Sequence, residues 1–89
     1  MQIHAIIHGR VQMVGFRINT KWMADRLGLV GWVRNLSDGT VETQAQGSKE
    51  RLEQFLTWLH QGPRYARVTS VDYYYIEEDE KFSTFNINA

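Results

Sequence analysis

Residues 30–46 read VGWVRNLSDGTVETQAQ. Residues 30–36 make one strand and residues 40–46 its return strand, with Ser37-Asp38-Gly39 as the turn between them. The turn has a mechanism. An Asp at this place accepts hydrogen bonds from nearby backbone N–H groups, and the Gly after it tolerates positive φ. Two β-prone runs joined by such a turn form a hairpin. Whatever flanks it must pack on one of its faces, so the hairpin decides the architecture.

Outward toward the N-terminus, Ile3, Ala5 and Ile7 share one parity, which predicts a half-buried strand over residues 2–8. Gly9 is expected to end it. A loop over 10–16 with a second glycine, Gly15, leads to a helix opening at Arg17. Ile18, Trp22, Met23 and Leu27 share its broad apolar face, and Gly28 is a natural stop. Toward the C-terminus, Ser48 is a good N-cap, although Arg51 replaces the acidic partner of a capping box; Glu50 favours the first turn electrostatically. Leu52, Phe55, Leu56 and Leu59 form an i, i+3, i+4, i+7 stripe, and Gly62-Pro63 breaks the helix. A long strand is expected over 68–77, a charged turn over 77–81 and a short last strand within 82–87. The order β-α-β-β-α-β, with the extra short strand, predicts an α+β ferredoxin-like α/β sandwich: an antiparallel sheet with two helices on one face. That fold hosts many functions.

The 89 residues suit one domain, residues 1–89, at roughly 100 residues per domain. Ten basic and ten acidic residues give a net formal charge of 0, so a chain-wide basic field for nucleic acid or anionic membrane is absent. There is no Cys, which excludes disulfides, thiolate metal sites and Cys nucleophiles. No apolar run approaches the ~20 residues of a membrane span, and the start MQIHAIIHGR is a poor signal peptide. These features predict a cytoplasmic monomer without nucleic-acid or membrane partners.

Chemistry concentrates in the loop from Gly9 to Arg17. Backbone N–H groups of a Gly-containing loop can turn inward as a nest for an anion. The helix that follows adds unpaired N–H groups and a partial positive end. Arg17 at a helix start is mildly unfavourable, by ~0.3–1 kcal/mol, unless an anion sits beside it. Its planar guanidinium suits a phosphoryl group. The GK[ST] ending of a nucleotide-binding loop is missing. Taken alone, the loop is equally compatible with turn glycines and a solvated arginine.

Residues 9–17, GRVQMVGFR, resemble the signature loop of the acylphosphatases, and residues 31–42, GWVRNLSDGTVE, resemble that family's second signature. Gly62-Pro63 followed by Ala66 and Val68 is similar to its segment after the second helix. The resemblance spans nearly the whole chain. It implies a hydrolase that cleaves acyl phosphates to carboxylate and inorganic phosphate without metal or cofactor. It also implies that Arg17 binds the phosphoryl group, that the amides of Gln12, Met13, Val14, Gly15 and Phe16 cradle it, and that Asn35 positions the attacking water.

One position departs from the family's pattern: Met13 stands where Gly is common. Positive φ at Met13 would cost of order 1–2 kcal/mol. The alternative function is therefore a weakly active or non-catalytic phosphate-binding module. A third reading, an RNA-binding domain of the same fold, is disfavoured by the neutral charge, since Tyr73–Tyr75 lack a surrounding RNA-recognition motif. His4, His8 and His60 lack metal-ligand spacing and read as surface or packing residues. Asp25, Glu42 and Asp72 read as solvated, and Trp22, Trp32 and Trp58 as covering the core. Arg10 and Arg34 either enrich the field near the phosphate or are simply exposed.

Overall fold

A computed structural model describes residues 1–77 and 81–89. Most of the expected charged turn therefore lies outside the described residues. The elements are β1 (Gln2–Arg10), α1 (Phe16–Arg26), β2 (Val30–Asn35), β3 (Val41–Gln46), α2 (Lys49–Gln61), β4 (Arg67–Ile76) and β5 (Phe85–Ile87). They form a five-stranded sheet in the order β4-β1-β3-β2-β5. Four strands run antiparallel as expected, but β5 pairs parallel to β2, with Val33 opposite Ile87. The sheet is thus mixed.

The central hairpin closes as its sequence predicts. Asp38 accepts hydrogen bonds from the Thr40 amide (3.0 Å) and hydroxyl (2.6 Å), and Gly39 has a φ of 91°. These bonds hold the Asp38 carboxyl below its usual range, the Thr40 hydroxyl first among them. Ser48 caps α2 by accepting from the Arg51 amide at 3.3 Å. Leu52, Phe55, Leu56 and Leu59 are buried, meeting Ile3, Ala5, Ile7, Val33, Val41 and Ala45 from one face of the sheet. Gly62, at φ 70°, ends the helix.

Two local expectations are corrected. Gly9 does not end β1. The strand runs on to Arg10 through a register shift between His8 and Gly9. Gly9 is needed because a Cβ there would lie 2.0 Å from the Arg67 carbonyl oxygen. Nor does α1 bury the expected face. Its buried residues are Phe16, Thr20 and Ala24, with Met23 and Leu27 partly buried, while Ile18 and Trp22 are exposed. Buried Thr20 satisfies its hydroxyl on the Phe16 carbonyl at 2.8 Å. A polar residue therefore faces the core where periodicity assigned apolar ones, and the apolar pair is released to the surface.

The opposite sheet face has no helix and carries a polar network. Glu42 accepts from Arg34 Nε at 2.6 Å and pairs with His4 Nε2 at 2.8 Å. His4 also stacks on Tyr74, and Arg34 lies over Trp32. His8 pairs with Asp72 at 2.9 Å. Glu42, expected to be solvated, has a side chain only 13% exposed. Burial pushes its carboxyl up, but the hydrogen bonds to His4 and Arg34 outweigh burial and hold it below the ordinary value. Tyr74 shares this face, whereas Tyr73 and Tyr75 pair with Ala5 and Ile3 on the other.

Candidate active site

The loop between β1 and α1 meets the end of β2. Asn35 shares the parity of Gly31 and Val33, so it leaves β2 on the helix-covered face, at the strand's last position. Gln12 binds the two segments together. Its side-chain nitrogen donates to the carbonyls of Leu36 (2.7 Å) and Thr40 (2.9 Å), the two ends of the hairpin turn. Both partners are acceptors, so the nitrogen of the amide must face them. Val14 packs against the core from the other side of the loop.

Between these anchors the backbone is unusual. Met13 has φ 62°, the one positive φ outside glycine among the described residues, and its side chain is fully exposed. Gly15, at φ 76° and ψ 20°, is the N-cap of α1 and offers no side-chain cap. Asn19 donates to the Gly15 carbonyl at 2.8 Å and steadies that corner. None of the amides of Gln12, Met13, Val14 and Gly15 makes a backbone hydrogen bond to another described residue. Phe16 begins the helix, where N–H groups have no intrahelical partner. Consecutive free amides beside a helix start are the donors an anion requires.

Three of the five residues that carry these donors, Met13, Gly15 and Phe16, line a cleft of about 230 Å³, while Gln12 and Val14 do not. Met13, Gly15, Phe16 and Arg17 line it from the loop and helix, and Asn35 from β2. Arg17 is the one charged residue of the lining. It is exposed and makes no ion pair with a described residue. The Asn35 Oδ1 is buried and has no hydrogen-bond partner among the described residues. A buried acceptor left unpaired costs about 1–3 kcal/mol, so its persistence calls for a role.

Sequence reasoning did not place Val11, Ile18 or Ile87 at this cleft, yet all three line it. Ile87 shares the parity of buried Phe85, a signal visible only once the parallel pairing of β5 is known. Arg34 has no part in it, being held on the opposite face by Glu42. No group of three or more His, Cys, Asp or Glu side chains that could hold a metal occurs among the described residues.

Comparison with known proteins gives a consistent result. The acylphosphatase family profile matches residues 3–87. An acylphosphatase of Thermococcus kodakarensis is 48% identical over 98% of this chain and 94% of its own. One of Bacillus licheniformis is 44% identical over 99% and 98%. The crystal structure of an acylphosphatase from Bacillus subtilis superposes with a TM-score of 0.97 at 35% identity, covering 99% of this chain and 98% of that one.

Proposed function

This chain belongs to the acylphosphatase family, and we propose that it hydrolyses the carboxyl–phosphate anhydride bond of acyl phosphates, with Arg17 and the amides of Gln12, Met13, Val14, Gly15 and Phe16 holding the phosphoryl group and Asn35 orienting water. The observation that carries this assignment is one cleft lined by both a guanidinium and a residue with a buried amide oxygen, neither of them paired among the described residues.

The chemistry follows from those groups. Phosphoryl transfer has a loose transition state, so positioning and charge stabilisation supply most of the rate. Water attacks phosphorus, the bond from phosphorus to the acyl oxygen breaks, and the electron pair leaves with the carboxylate. A carboxylic acid has a pKa near ~4, so the leaving group needs no proton. Asn35 is no base, but its amide can both accept from and donate to a water, which suits orienting the attack. The water's proton passes to a phosphate oxygen. The products are a carboxylate and inorganic phosphate.

Support for this reading comes from the relatives, whose names describe acylphosphatases. The alternative of a non-catalytic phosphate-binding module finds none among them. The reading further takes residues 1–89 as one catalytic domain, acting as a cytoplasmic monomer. The balance of ten basic and ten acidic residues and the lack of Cys favour it, and no helix among the described residues is long and apolar enough to cross a membrane. The test is release of inorganic phosphate from benzoyl phosphate. The wild type should turn it over, and Arg17→Ala should lose about 100-fold or more in kcat/KM, as expected when a preorganised transition-state donor is removed. An inert wild type would overturn the assignment.

A further inference from the structure

The cleft holds more than a phosphoryl group uses. The cleft, about 230 Å³, is larger than four heavy atoms of a phosphoryl group fill. Three side chains of its lining are both apolar and exposed: Met13 from the loop, Ile18 from α1 and Ile87 from β5. All three are exposed, by 101%, 46% and 39% respectively. Phosphate gains nothing from them, since its partners are N–H groups and a cation. Exposed apolar side chains that converge from three separate segments beside a charge-binding site suit a substrate with an apolar part bonded to its phosphate.

The part of this wall formed by α1 and β5 is held together by hydrogen bonds. Lys21 donates to the Phe85 carbonyl at 2.8 Å, tying α1 to β5. Val33 pairs with Ile87 in the parallel ladder, and the Asn88 amide donates to the Val33 carbonyl at 2.8 Å. Trp22, 65% exposed, lies one helical turn beyond Ile18 and continues the apolar stripe away from the cleft.

We infer that Met13, Ile18 and Ile87 form an acyl-group subsite that makes this enzyme prefer acyl phosphates carrying an apolar acyl chain over acetyl phosphate. The inference rests on the hydrolase reading above and adds the substrate class to it. The phosphoryl end is held by the loop and Arg17, and the chain extends across Ile18 and Ile87 toward Trp22.

The test compares acetyl, butyryl and hexanoyl phosphate. Their leaving carboxylates differ little in basicity, so a trend in kcat/KM reads contact with the chain. In the wild type the hexanoyl-to-acetyl ratio should be about tenfold, as partial cover of the added methylenes implies. In Ile18→Ser and Ile87→Ser, each at an exposed position, it should fall to about threefold or less. Thermal unfolding checks that each variant is folded, and either one alone suffices. A wild-type ratio near one overturns the subsite, as does a ratio that both variants leave intact. If the wild type hydrolyses none of the three, the hydrolase reading itself fails, an outcome distinct from flat chain-length dependence.

Discussion

Met13 is the loop residue whose backbone carries a cost. At φ 62° it occupies the left-handed region, which costs an L-residue about 1–2 kcal/mol. Glycine would remove that strain but lose roughly 0.5–1 kcal/mol through the greater freedom of its unfolded chain. Relief of the strain outweighs that loss. Met13→Gly should therefore stabilise the protein by about 0.5–1 kcal/mol, a rise of roughly 2–8 °C in Tm; calorimetry showing no rise would mean that the loop carries no strain. At the same scale, the sequence singled out Arg17 and Asn35 but not the side chain of Gln12. A glutamine's partners follow from where the hairpin turn ends up, which local sequence does not reveal.

Between elements, the site depends on how the β1–α1 loop docks on the β2–β3 turn. Gln12 makes that joint with two hydrogen bonds, each worth about 0.5–1.5 kcal/mol net. Gln12→Ala should cost about 1–3 kcal/mol in urea unfolding and also weaken inhibition by inorganic phosphate, because the cradle amides would lose their register. Unchanged phosphate inhibition would show that the loop holds its shape without the joint. Element types were largely legible. The Asp38-Gly39 turn, the Ser48 cap and the leucine–phenylalanine stripe of α2 each state their structure locally. What escaped needed partners distant in sequence. Gly9 reads as a terminator in the sequence because the Arg67 carbonyl that crowds it is far along the chain. The buried face of α1 differs from the apolar stripe because Thr20 goes inside by bonding to its own helix, leaving Ile18 and Trp22 exposed.

The whole molecule divides its two sheet faces between stability and chemistry. The helix-covered face builds the core and, at its end, the cleft. The open face is held partly by Glu42, clasped between His4 and Arg34. Its lowered carboxyl stabilises the fold fully above its unfolded value near 4.5, and that contribution is lost as pH falls through the folded value. The Tm should therefore drop as pH falls below about 4.5 toward the folded value. In Glu42→Gln, Tm should be lower at neutral pH and the further acid loss smaller; equal acid slopes would place the sensitivity elsewhere. The site, too, belongs to this scale, because the loop before α1 and the end of β2 share a cleft only in the folded chain. The most direct test of the account measures kcat on benzoyl phosphate and the competitive inhibition constant of inorganic phosphate, in Arg17→Ala and Asn35→Ala side by side. Arg17→Ala should weaken phosphate inhibition at least tenfold, whereas Asn35→Ala should keep it within about threefold while kcat falls about 100-fold or more. Loss of phosphate inhibition in Asn35→Ala, or its retention in Arg17→Ala, would contradict the division of binding and water orientation between them.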